Sequence, residues 1–107
     1  MELKPEGKST AIIAYITIVG SLIAISMNAE PKHAFARFHT RQAFGIHLIF
    51  HALAIVLTYS FSAYIWLILF AAYVIGLIYG LTSALEEKKR PLPLLGEHFQ
   101  NWFTFIS

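Results

Sequence analysis

The chain has 107 residues, 57% of them hydrophobic and 13% charged, with a mean hydropathy of +0.62, which excludes a disordered, a collagen-like or an ordinary water-soluble chain. No cysteine is present, so disulfide frameworks, thiolate metal sites and cysteine nucleophiles are excluded as well. The formal net charge of +2 comes from basic residues that flank apolar runs, where lipid headgroups rather than nucleic acid are the expected neighbours.

All the charged residues fall in three islands, residues 2–8, 30–41 and 86–97. The first charge-free stretch, residues 9–29, would reach about 31 Å as a helix and matches a hydrocarbon core of about 30 Å. Lys4 and Lys8 precede it and Ala24-Ile25-Ser26 ends its apolar part like a small-x-small cleavage site. The run is long for a signal segment, so it reads as a retained span. Ser9 and Thr10 can cap its start. Asn28 and Glu30 then precede Pro31, and a second helix is expected from about Lys32, with Phe35, Phe38 and Ala43 on an apolar face and Arg37 and Arg41 one turn apart.

Residues 42–85 would run about 66 Å as one helix and must fold back into two spans. These are placed at 42–59 and 63–85, with the reversal near Ser60 and Ser62. Tyr59, Phe61, Tyr64 and Trp66 form an aromatic belt there. Beyond the basic cluster Lys88-Lys89-Arg90, Leu95, Phe99, Trp102, Phe103 and Ile106 recur opposite Glu97, His98, Gln100, Asn101 and Thr104. This predicts a short amphipathic interfacial helix over about 94–106. The expected fold is all-α: an integral membrane three-helix bundle forming one transmembrane domain over residues 1–107. Three spans place the first loop and the tail on one side, with six Lys and Arg there against Lys4 and Lys8 opposite. The N-terminus is then outside and the C-terminus cytoplasmic, in a bacterial inner membrane.

Two patterns inside the spans bear on function. Ala72, Gly76, Gly80 and Ala84 form a small-residue stripe that lets another helix approach closely. Its partner is either span one, through Thr17, Gly20, Ser21 and Ala24, or a second subunit. Arg37, Thr40, His47, His51 and Thr58 fall within about a third of the second helix's circumference at about 100° per residue. Three uses compete for His47 and His51. They are neutral hydrogen bonding to Tyr15, Thr17, Ser21, Tyr73 or Tyr79; a metal or haem site that draws on His39 or a second protomer; and a hydrated path for protons or a small solute. No nucleophile elbow, paired carboxylates or phosphate loop is present, so no catalytic residue, cofactor or enzymatic activity is expected.

Phe38-His39-Thr40-Arg41-Gln42-Ala43, then Tyr79-Gly80, then Leu92-Pro93-Leu94-Leu95-Gly96-Glu97, taken as an ordered set, resemble a family of small bacterial membrane proteins related to the channel-type subunit of the chloroplast inner-envelope protein translocon. The resemblance covers residues 10 to 100 or so. It implies a helical inner-membrane protein in which Phe38, His39 and Gln42 open the second helix from the cytoplasmic side. The chloroplast relative has four spans, whereas this chain shows three and a short amphipathic segment. The expected function is a non-enzymatic subunit or accessory of an inner-membrane complex, in protein translocation, with Arg37, Phe38, His39, Arg41 and Gln42 as its cytoplasmic face. Its expected partners are the bilayer and other membrane subunits or further copies of itself. The alternative is a small homo-oligomeric transporter or a haem- or metal-binding protein ligated through His47 and His51.

Overall fold

Residues 7–29, 33–59, 63–93 and 95–106 are described by the computed structural model. The expected reversal at Ser60 and Ser62, with Phe61 of the aromatic belt, and the Glu30-Pro31-Lys32 helix start lie outside the described residues, as does Lys4. Among the described residues the chain is all-α, with α1 Lys8–Ile16, α2 Ile18–Met27, α3 Ala34–Leu57, α4 Ala63–Leu85 and α5 Gly96–Trp102. Two of these helices, α3 and α4, are long and apolar enough to cross a membrane.

The stretch expected to form the first span does not run straight. Thr17 is extended (φ −150°, ψ 171°) between α1 and α2, and its Oγ1 accepts the Gly20 amide at 3.0 Å. A threonine in this role caps a new helix instead of continuing the old one. The chain also turns back on itself at that point. A Cβ on Gly20 would overlap the Ile13 carbonyl, so the two helices close against each other only because this residue has no side chain.

The outer ends of the hairpin meet the same residues. Gly7, in the left-handed region at φ 89°, leaves room for a Cβ only 2.8 Å from Ala36 Cβ and 3.0 Å from His33 Cβ. Asn28, at the far end of α2, accepts the His33 amide at 2.9 Å and donates to the His33 carbonyl at 3.3 Å. A straight helix would separate Gly7 from Asn28 by about 30 Å. Lys8 also reaches Glu87, just past α4, at 3.2 Å. The start of α1 therefore lies beside the end of α4, where three successive spans would hold them apart. Among the described residues the arrangement is two long helices, α3 and α4, with a helical hairpin, α1–α2, packed against their charged end, and three full-length spans are not seen.

Packing follows from that arrangement. The α1 helix packs on α2, α3 and α4, while α2 packs on α1 and α3. Every buried residue of α3 lies between Phe35 and His47, and every buried residue of α4 between Gly76 and Ala84. No described residue from 48 to 75 is buried. The core, built on Ala11, Ala14, Tyr15, Ala24, Ala43, Ile46, Ala84 and Phe99, thus sits wholly in the charged half.

The tail helix is shorter than the expected 94–106. Phe99 and Ile106 are buried, but Trp102 of the same predicted face is 56% exposed. The Phe99 ring lies against Gly45 of α3, where a Cβ would overlap it.

Candidate functional site

The polar residues gather where α4 ends. The Lys88 amide donates to the Ser83 carbonyl at 2.9 Å and the Glu87 amide to the Ala84 carbonyl at 3.0 Å, with Glu87 left-handed at φ 62°. These are the two bonds of a Schellman ending, with Glu87 in the place usually held by glycine. Ser83 Oγ donates to the Lys88 carbonyl at 2.8 Å and accepts the Arg90 amide at 3.0 Å, folding the chain tightly after the helix.

Side chains from α1 and α3 clamp this turn. His39 Nε2 lies 2.7 Å from the Lys88 carbonyl and Nδ1 2.6 Å from the Tyr15 hydroxyl. A carbonyl only accepts, so Nε2 carries the proton, and in the neutral ring Nδ1 accepts a hydrogen bond from the Tyr15 hydroxyl. Gln42 Nε2 donates to the Tyr15 hydroxyl at 3.1 Å and to the Arg90 carbonyl at 3.2 Å, and Gln42 Oε1 accepts the Leu92 amide at 2.6 Å. Tyr15, His39 and Gln42 are all buried, and each of their polar atoms has a partner, as a network in a low-dielectric interior requires. Thr40 Oγ1 is the exception, buried without a partner among the described residues.

Deeper in the molecule, His47 serves the hairpin. Ending α1 at Ile16 deprives the Ala14 carbonyl of its helical donor. Ser21 Oγ donates to that carbonyl at 2.8 Å, and His47 Nε2 lies 3.1 Å from it. The other nitrogen, Nδ1, lies 2.7 Å from the Tyr73 hydroxyl. By the same carbonyl argument His47 donates from Nε2 and accepts at Nδ1, so neither nitrogen is left for a ligand. His51 is exposed, with its ring 5.3 Å from that of Phe50. Thr58 is exposed too and donates to the Ala54 carbonyl at 2.9 Å. The stripe from Arg37 to Thr58 is therefore buried at Thr40 and His47 and exposed at His51 and Thr58. Among the described residues no group of three His, Asp or Glu side chains could hold a metal ion.

Arg41 binds the tail. Its guanidinium donates to the carbonyls of Ile106 at 2.8 Å, Gln100 at 3.3 Å and Thr104 at 3.3 Å, groups left open where α5 ends. Gln100 Nε2 returns a bond to the Phe38 carbonyl at 2.7 Å. Arg37, half-buried one turn earlier, takes no part in these bonds. The small-residue stripe of α4 meets α1 and α3: Gly80 faces the Tyr15 ring, Gly76 faces Ile46, and Ala84 is buried. Ala72 lies farther out, in an apolar groove with Ile49, Phe50, Leu53 and Leu95. The small residues of α2 do not meet α4. Gly20 and Ser21 fold against the end of α1.

Sequence reasoning missed Ser83 and the hairpin-capping role of Thr17. The spacing Thr17-x-x-Gly20 inside an apolar run is a usable signal for the second; an isolated serine near a helix end carries none for the first.

Residues 6–99 match the family model described as the magnetosome magnetite crystal formation protein family. No curated protein and no solved structure matches the chain. The match overturns the resemblance to relatives of the chloroplast import channel. Its physical reason is visible in the clamp, where His39 and Gln42 of the first motif hold Lys88, Arg90 and Leu92 at the threshold of the last. Those short segments record how the helices are locked together.

Proposed function

Because the chain belongs to the magnetosome magnetite crystal formation protein family, we propose that it is a non-enzymatic subunit or accessory protein of a bacterial membrane in which magnetite forms. The observation that carries this reading is the gathering of the charge at one end of an otherwise apolar helical body. Lys8, Arg37, Arg41, Lys88, Lys89 and Arg90 all belong to that end, through the contacts of Lys8 with Glu87 and of the α3 start with the α4 end. Residues 42–85 carry no Lys or Arg, so the opposite end has none. Lys and Arg near span ends stay in the cytoplasm, which orients the hairpin, the start of α3 and the tail all to the cytoplasmic side. On this reading the N-terminus is cytoplasmic, in place of the expected outside N-terminus.

The buried hydroxyl, imidazole and amide groups of the clamp are occupied with one another, and His47 is occupied with the hairpin. That favours a supporting role over catalysis, and over a haem or transport site at His47 and His51. Nothing in the family assignment carries a role in protein translocation.

The test is to tag the protein at native expression, fractionate the membranes, and delete the gene in parallel. Enrichment in the magnetite-bearing fraction, co-purifying membrane subunits and altered crystal number or size in the deletion strain are the expected results. Unchanged crystals together with an even distribution over all membranes would overturn the reading.

A further inference from the structure

We infer that the protein is a membrane wedge, whose fitting partner is a bilayer curved so that the leaflet around the charged end is convex. The inference rests on the membrane embedding and orientation proposed above. It follows from an asymmetry of depth. The α1 helix of nine residues and the α2 helix of ten each reach only about 15 Å, half of a hydrocarbon core of about 30 Å. Their tip is fixed at the level of His47, near the middle of α3, by the bonds to the Ala14 carbonyl.

The charged-end leaflet therefore contains α1, α2 and halves of α3 and α4, with α5 docked beside them through Phe99 and Gly45. Among the described residues the other leaflet contains only the remaining halves of α3 and α4. At roughly 80 Å² for a bare helix about 10 Å wide, the cross-section is about 320 Å² in one leaflet against about 160 Å² in the other. The distribution of burial says the same: the core lies between residues 35 and 47 of α3 and 76 and 84 of α4, and nothing described from 48 to 75 is buried.

Lipid, and not a second copy, is assigned to the thin half on two grounds. The glycines that permit the closest helix approach, Gly76 and Gly80, are in the thick half and already face Ile46 and Tyr15, and Ala72, the member of that stripe in the thin half, is bordered by the bulky Ile49, Phe50 and Leu53. The thin half of α4 instead presents Leu67, Ile68 and Phe70 at 56–69% exposure, bulky surfaces suited to acyl chains. On the thick side, Val19, Leu22 and Ile23 of α2 are also exposed, so the hairpin displaces lipid in its own leaflet. A body wider in one leaflet lowers its free energy where that leaflet is expanded.

The absence of cysteine makes the test direct. The full chain carrying Lys89→Cys, an exposed position, is dye-labelled and reconstituted into giant vesicles of phosphatidylcholine and phosphatidylglycerol. Membrane tethers are then pulled from them. An impermeant quencher separates molecules with the charged end outward from those with it inward. Outward molecules are expected to be enriched about twofold or more on tethers of about 20 nm radius relative to the vesicle body, and inward molecules depleted. Equal density on tether and body overturns the wedge, as does pairwise brightness without enrichment, which would mean that a second copy fills the thin half. A parallel Ser9→Cys sample distinguishes failure of the underlying topology: if Ser9 and Lys89 labels quench from opposite sides, the hairpin orientation is wrong whatever the tethers show.

Discussion

The consequences at the scale of single residues depend on what each side chain touches. Gln42 satisfies the Leu92 amide and the Arg90 carbonyl at once. Gln42→Leu leaves both without that partner and should lower stability by about 2–4 kcal/mol, measured as thermal denaturation in a mild detergent. Gly80 and Gly76 belong to one stripe, yet alanine should act in opposite directions at the two. At Gly80 the new methyl overlaps the Tyr15 ring, and overpacking costs about 1–3 kcal/mol. At Gly76 it would sit an ordinary 3.7 Å from Ile46, and the helix gains up to about 1 kcal/mol of propensity. Glu87→Gly relieves a left-handed residue, a gain of about 1 kcal/mol, but removes a partly exposed pair with Lys8 worth less than about 1 kcal/mol. The two nearly cancel at low salt. In high salt the pair is screened, and the variant should then melt above the wild type.

Among the elements, the hairpin depends most on a few polar atoms. Its break leaves the Ala14 carbonyl without a helical donor at a buried position, where non-helical backbone survives only if protein groups satisfy it. Ser21 and His47 do so. The double variant Ser21→Ala, His47→Phe removes both donors, and the carbonyl then regains a donor most simply by joining α1 and α2 into one continuous helix. A Ser9→Cys label in that background is expected to cross to the far side of the membrane, while the same label in the otherwise native chain stays with Lys89. The tail helix has its own anchor in Arg41. Arg41→Ala should make the chain after Pro93 sensitive to limited proteolysis while α3 and α4 remain intact. Arg41→Lys should not restore protection, because an ammonium lacks the fork that spans three carbonyls.

For the whole molecule, the decisive quantity is which end carries charge. Reporter fusions ahead of residue 1 and after residue 107 are both expected to read cytoplasmic, and an insertion at residue 60 to read on the opposite side. Opposite signals from the two ends would restore three spans. The membrane class, the helical character and the two long helices were legible in the sequence, because charge-free length and hydropathy are summed over a segment and do not depend on its neighbours. The clustering of the motif residues Phe38, His39 and Gln42 was legible only as a pattern; that His39 and Gln42 lock the turn after α4 depends on residues some fifty positions away. The turn at Thr17 depended on the fold too. An apolar run of 21 residues satisfies a straight span and a hairpin equally well by composition. What separates them is whether a carbonyl freed at Ala14 finds donors, and one of those donors, His47, is supplied by another helix. Local length and polarity therefore placed the chain in a membrane, while the folding of its first apolar run into a hairpin was decided by hydrogen bonds between elements.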